Sequence, residues 1–392
     1  MTKTPENSPG ELSSGQSAGR LFNASGLAMR LRASPLLAFG PSEPGPALRR
    51  GALIAVPIGI ALAVELGFDA PTKGAIATGA LLAGFPGLDA PARTRAAWQA
   101  WAAPLIGIVG ALGILSSQST VLAVLAMGLL GTAAGYCFAV SLRLAIFGLS
   151  LGLALVISQG LFLAPSDALP ALLYGTAGGL AQALWSLIVW LVVDRAADDQ
   201  GSGWNTRASI GQLRSNLTLE SPAARHAIRF GGALAAGVAT YRLLDLHNHG
   251  FWIPLTILFV MRPERDETYH RLVLRALGTV LGLVVATAIA EAFPGNDFVV
   301  VIVLTTSAAL TFGLLTVQYA LFTAAITTYV VLLTDTLGEP AFEAAGQRLT
   351  GTALGILIAF LAFLIWPNPG EGRGRRSALP EPGPSPQRAM AR

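Results

Sequence analysis

Two segments of this sequence set an arginine ahead of small residues with one shared spacing: Arg275-Ala-Leu-Gly278-Thr279-Val-Leu-Gly282 and Arg348-Leu-Thr-Gly351-Thr352-Ala-Leu-Gly355. In a helix, residues three, four and seven apart lie on one face, so each segment places a guanidinium one turn before a surface fit for close helix contact. Arginine stays charged, and its planar fork matches a carboxylate with two hydrogen bonds, so the chemistry on offer is recognition of an organic anion. For Arg275 the competing reading is an ordinary arginine at the cytoplasmic end of a membrane helix. Arg348 has no such reading, and an ionisable residue inside an apolar segment faces a cavity or a partner. Upstream lies His247-Asn-His249-Gly-Phe-Trp252-Ile-Pro254-Leu-Thr256. Two histidines two apart without a third ligand make a poor metal site, and Trp252 reads either as an interfacial anchor or as a stacking wall for a flat substrate. Glu65, Asp69, Glu291, Asp297, Asp335, Glu339 and Glu343 could relay protons if burial raised their pKa values. Arg242 reads as snorkelling or as pairing with Asp245.

Enzyme chemistry finds little support. The lysines are Lys3 and Lys73, neither in a phosphate-binding loop, and there is no His-Glu-x-x-His or Gly-x-Ser-x-Gly motif. Cys137 is the single cysteine, so an intrachain disulfide or a cysteine metal cluster is excluded. No cofactor is expected. The net charge of +4 comes from arginines set between apolar runs, not from one basic face with interleaved aromatics, so nucleic acid is not expected as a partner.

The elements that must position these residues follow from the solvent. The chain has 392 residues, 53% of them hydrophobic and 12% charged, which is too apolar for a soluble domain of this length, and lipid is the expected environment. Crossing roughly 30 Å of hydrocarbon takes about 20 residues as a helix. Twelve apolar runs fit, near 50–67, 72–86, 97–115, 120–140, 143–163, 169–193, 227–244, 250–262, 273–291, 298–315, 317–334 and 348–366. The second and eighth are short. With both termini in the cytoplasm, 23 of the 26 basic residues fall in cytoplasmic segments, all but Lys73, Arg242 and Arg348, and the positive-inside rule selects that orientation. The expected fold class is all-α, a polytopic transmembrane helical bundle.

The polar stretch Asp194 to Arg229 divides the chain. Sliding one half over the other by 175 to 178 positions matches Pro86-Gly-Leu-Asp89 with Pro263-Glu-Arg-Asp266, and Gly175-Thr176-x-x-Gly179 with Gly351-Thr352-x-x-Gly355. Two parallel six-helix repeats are expected, with a pathway at their interface; small residues recurring for helix packing alone is the alternative. In this alignment Leu172 stands where Arg348 does, and Trp98 roughly where Arg275 does. The expected organisation is a tail over 1–48 with a weak amphipathic helix at 21–39, a first six-helix half over 49–193, and a linker over 194–225. A second half over 226–367 and a tail over 368–392 complete it. The opening residues lack the apolar core of a signal peptide.

Taken in order, Gly250-Phe-Trp252-Ile-Pro-Leu-Thr256, Arg262-Pro263, Arg275-x-x-Gly278-Thr279-x-x-Gly282, and Arg348-x-x-x-Thr352-x-x-Gly355 ending in Ile365-Trp-Pro367 resemble the fusaric acid resistance protein-like (FUSC) family, related to aromatic acid exporters. The resemblance covers about 140 residues of the second half. It implies a bacterial inner-membrane efflux permease for aromatic or other small organic acids, with substrate-binding residues Arg275, Arg348, Trp252 and Thr256. A passive organic-anion channel and a non-transporting scaffold subunit remain the alternatives, and a homo-oligomer is compatible with either. Many relatives resemble six helices followed by a sizeable cytoplasmic domain, for which the linker here is too short.

Overall fold

The computed structural model describes residues 43–67, 74–138, 140–161, 163–194, 221–246, 250–336 and 341–365. The expectations for the tail helix at 21–39, for His247 and His249, for Asp69, Lys73 and Glu339, and for most of the linker lie outside the described residues.

Among the described residues twelve α-helices follow one another: α1 (Pro44–Gly67), α2 (Ala75–Gly84), α3 (Ala92–Ser116), α4 (Thr120–Cys137), α5 (Leu142–Gly160) and α6 (Ala168–Val189) in the first half. The second half holds α7 (Pro222–Leu243), α8 (Trp252–Val260), α9 (Arg265–Ala292), α10 (Asp297–Leu314), α11 (Tyr319–Thr336) and α12 (Ala341–Ile365). Among the described residues there is no β-strand. Local chemistry marks several starts. Ser141 accepts from the Leu144 amide, Ser221 from Ala224 with Pro222 at the first helical position, and Asn296 from Val299, each satisfying one orphan amide of a helix start. For α2 the cap comes from another helix. The Glu65 carboxylate accepts the amides of Ile76 at 3.0 Å and Ala77 at 3.1 Å.

Among the described residues, nine helices are long and apolar enough to cross a membrane. The other three differ in kind. α7 is long but carries Arg225, His226, Arg229 and Arg242, whereas α2 has 10 residues and α8 only 9. All nine residues of α8 are buried. A helix sheathed on every side touches no lipid, so it need not reach both interfaces; this explains why the eighth apolar run is short. Outward faces carry Leu112, Leu125, Leu129, Leu184, Val284 and Leu357, the apolar exterior that a lipid solvent requires.

The two halves interlock through their first and fourth helices. α1 lies along α10, with Gly51 against the Ala309 carbonyl and the Gly313 backbone, and α4 lies along α7, with Gly135 against Ala227. Glycines allow this backbone approach because a Cβ at Gly135 would sit 2.7 Å from the Ala227 Cα. Trp185 of α6 also donates to the Leu53 carbonyl of α1 at 2.7 Å.

Two of the arginines sit deeper than the apolar runs indicated. α9 starts at Arg265 and α12 at Ala341, several residues before the runs at 273 and 348, because hydrogen-bonded helix continues through charged flanks that a hydropathy window rejects. Arg275 and Arg348 are therefore inside helices, not at their ends.

Candidate functional site

The repeated glycine faces dock onto partner helices whose side chains recur every four residues. On α9, a Cβ at Gly278 would lie 2.6 Å from the Thr323 Cβ, and one at Gly282 would lie 2.7 Å from the Thr327 Cβ of α11. On α12, a Cβ at Gly351 would lie 2.5 Å from the Trp252 Cβ, and one at Gly355 would lie 2.7 Å from the Thr256 Cβ of α8. Both contacts advance in the same direction along both chains, so each pair is parallel. α9 and α12 run antiparallel to one another, since Tyr269 near the start of α9 stacks against Phe360 and Phe363 near the end of α12. That register leaves the Cα atoms of Arg275 and Arg348 roughly 10 Å apart along the helix axes.

Both arginine side chains are fully buried. None of the three guanidinium nitrogens of either one has a hydrogen-bond partner among the described residues, and no carboxylate pairs with either. The Arg348 guanidinium lies over the Trp252 ring at 3.9 Å, and that of Arg275 lies 5.2 Å from the Phe259 centroid. Ring faces attract cations but leave the N–H groups unmet. The two charges act on each other repulsively, and the Tyr319 hydroxyl, which donates to the Phe259 carbonyl at 3.1 Å, interacts with Arg275.

Hydroxyls line the same seam. Thr240, Thr287, Thr305, Thr306, Thr311 and Thr350 each donate to the carbonyl four residues back, the usual local solution for threonine in a helix. Thr256, Thr279, Thr323, Thr327 and Thr352 make no such bond, and their buried hydroxyls have no partner among the described residues. The Tyr329 hydroxyl is likewise unmet. A buried hydroxyl without a partner costs about 1–3 kcal/mol, and an unpaired buried charge costs several kcal/mol. Arg275 and Arg348 are thus buried cations without a paired carboxylate among the described residues, and unmet threonine hydroxyls lie on the helices packed against them.

The structure thus brings Arg348, Trp252 and Thr256 together on α12 and α8, with Arg275 on the neighbouring helix. Trp252 is fully buried among protein side chains, so its ring is not presented outward as an interfacial anchor would be. Arg275 is likewise enclosed by protein, unlike an arginine that snorkels to solvent. Arg242 caps another helix, its Nη2 donating to the Ser117 carbonyl after α3 at 2.8 Å. Glu291 and Asp297 are exposed, whereas Glu65 is buried with its carboxylate engaged at the start of α2. Among the described residues no group of three metal-ligating side chains occurs. Sequence reasoning passed over Thr323, Thr327 and Tyr329. The one available signal was a pair of hydroxyls four apart in an apolar helix.

In the first half, α3 and α6 pack closely through small residues, with the amides of Gln99 and Gln182 buried and unmet among the described residues. A Cβ at Gly179 of α6 would lie 2.7 Å from the Ala103 Cβ of α3, and Gly107 abuts the Leu172 carbonyl and the Thr176 hydroxyl. Arg95 Nε donates to Ser186 at 3.4 Å. Trp98 packs edge-on against Phe147.

Residues 234–362 match the family described as fusaric acid resistance protein-like, a stretch that contains both arginines, Trp252 and all five threonines. The chain is 38% identical over 158 residues to "Inner membrane protein YccS" of Escherichia coli, covering 40% of this chain and 22% of that protein. It is 33% identical over 174 residues to "Uncharacterized protein ORF2" of Neisseria gonorrhoeae, covering 44% and 40%, respectively. An uncharacterized protein of Haemophilus influenzae is 34% identical over 155 residues, 39% of this chain and 21% of its own length. The chain therefore spans less than half the length of each of these relatives. No solved structure matches it. The likeness to the fusaric acid resistance protein-like family thus covers residues 234–362, the stretch that carries the arginine and small-residue segments.

Proposed function

We propose that this protein is a transporter that exports small organic anions, with Arg275 and Arg348 as two anion stations in series and Trp252 and Thr256 as the wall beside the second. The observation that carries the reading is the pair of fully buried guanidinium groups whose N–H donors have no partner among the described residues. Arginine does not shed its proton, so the pair requires an anion or a large reorganisation. A carboxylate with a flat body suits it: the oxygens meet a guanidinium and threonine hydroxyls, and the ring finds Trp252. The antiparallel run of α9 and α12 brings one arginine toward the seam from each end, a layout suited to exposing first one station and then the other. The relative from Escherichia coli is by name an inner membrane protein, and the basic-residue distribution favours that membrane with both termini cytoplasmic.

The test is uptake of radiolabelled benzoate into proteoliposomes containing the full chain. Arg348→Ala and Arg275→Ala should each abolish saturable flux at equal incorporation, while Arg348→Lys should retain part of it. Unchanged flux in Arg348→Ala would remove the anion-station role. Large unitary currents in a planar bilayer would replace the transporter with a channel. Absence of flux for every acid tried, together with a stoichiometric co-purifying protein, would favour a scaffold.

A further inference from the structure

A cavity of about 350 Å³ opens at the end of the bundle that holds the α8–α9 turn. It lies between the halves, walled on one side by Phe138, Ile146, Leu149 and Leu153 and on the other by Arg262, Glu267 and Arg271. Its size is at the lower end for small-molecule sites. We propose that this cavity is a recruitment subsite for an organic acid with an apolar body, in which Glu267 occupies the arginine pair until the acid's carboxylate displaces it.

The charges make the case. Glu267 Oε1 takes Arg271 Nε at 2.9 Å and also lies 3.7 Å from Arg262 Nε. One carboxylate thus bridges two guanidinium groups, and the Arg271 Nη1 is buried with no partner among the described residues. The Arg262 side chain is nine-tenths buried, its Nη1 donates to the Met261 carbonyl at 3.1 Å, and its backbone amide is held by Thr268 Oγ1 at 3.0 Å, so it is fixed in place. Burial and the neighbouring Arg271 pull the Arg262 guanidinium down to about 9, which leaves it cationic at neutral pH. Glu267 is the mobile member of the set, with 42% of its side chain exposed. Glu264 also lines the mouth but is exposed, and its backbone carbonyl accepts from Thr268. The Thr316 hydroxyl, buried without a partner among the described residues, adds a further donor to the wall.

The cavity also leads somewhere. Its lining includes Phe259, and the Arg275 guanidinium sits over that same ring. Arg271 lies over the Tyr319 ring at 4.6 Å, one turn before Arg275 on α9. A single aromatic layer, Phe259 fastened by the Tyr319 hydroxyl, therefore separates the cavity from the first buried arginine. An acid that exchanges with Glu267 is held beside that layer with its ring against the apolar wall.

This inference deepens the transporter reading and rests on it, so binding and flux are measured separately. Equilibrium binding of radiolabelled benzoate to the full chain in detergent is compared with acetate, which lacks the apolar body. Glu267→Gln should tighten benzoate and acetate alike, each about tenfold, because it frees both guanidinium groups, with benzoate the tighter ligand throughout because of the apolar wall. Arg271→Gln should abolish the Glu267-sensitive component, and Ile146→Trp, which fills the cavity without touching a charge, should do the same if Arg271→Gln fails to fold. Both effects should persist in Arg348→Gln. If Glu267→Gln and Ile146→Trp leave benzoate affinity unchanged, the subsite is overturned, whether or not the transporter reading holds. If they alter it while Arg348→Ala and Arg275→Ala transport normally, the subsite stands and the central stations fall.

Discussion

The two halves of this protein solve one packing problem in opposite ways. In the first half, α3 and α6 meet through Ala103, Gly107, Gly175 and Gly179, so their backbones touch and the seam is filled. In the second half, α9 and α12 each spend their glycine face on a different neighbour, α11 and α8, and set a buried arginine against the rings of α8. Small residues close a seam by letting dispersion contacts form along its whole length. Like charges cannot close a seam in that way, because each guanidinium repels the other and holds donors that no group among the described residues satisfies. The transporter proposal accordingly assigns the chemistry to the second half and packing to the first, although both present a Gly-Thr-x-x-Gly segment.

The contrast breaks most readily at the arginines. Removing a buried charged partner of a bound anion costs enough that Arg348→Ala should lower benzoate flux roughly 100-fold, while Gln99→Ala and Gln182→Ala in the first-half seam should leave flux unchanged; proteoliposome uptake checks both. Next in size is overpacking of the contact between α2 and α6 in the first half. Gly178 sits against the Ile76 carbonyl, with the Ala80 amide 2.8 Å from its Cβ position, so Gly178→Val should destabilise by about 2 kcal/mol, read as a lower Tm in detergent. Glu65→Ala should cost about 1 kcal/mol by uncapping α2, and hydrogen exchange at Ile76 and Ala77 should accelerate. Smallest is Arg143→Ala. Its pair with Asp89 is partly exposed at 27% and 50%, and the loss should stay under about 0.5 kcal/mol. If the first-half substitutions cut flux as deeply as Arg348→Ala does, the division of labour between the halves is wrong.

Much of the fold was legible because lipid imposes a simple rule. Apolar runs of the right length become helices, and ten of the twelve runs are helices of 18 residues or more. The eighth run is a short helix for a reason no hydropathy window contains: α8 is enclosed by protein, and all nine of its residues are buried. The candidate site was half legible. Arg348 stood out because it broke the charge rule, and the spacing to Gly351 and Gly355 showed a packing face. Thr323 and Thr327 did not stand out, since threonine in an apolar helix usually bonds its own backbone, as Thr305 and Thr311 do. Whether it does so depends on what lies opposite. Arg271 and Glu267 were equally unremarkable, because an i,i+4 pair on a helix end is most often a solvated surface pair.

By itself the sequence determined the solvent, the helical class, the positions of the helices, and the residue types able to meet an anion, since all of these follow from hydropathy, spacing and charge along the chain. The tertiary structure decided which helix each glycine face meets, and therefore which side chains share the seam. That choice depends on contacts between residues as far apart as Trp252 and Gly351, and local spacing carries no record of them. It is the choice that buried both Arg275 and Arg348 against the rings of α8.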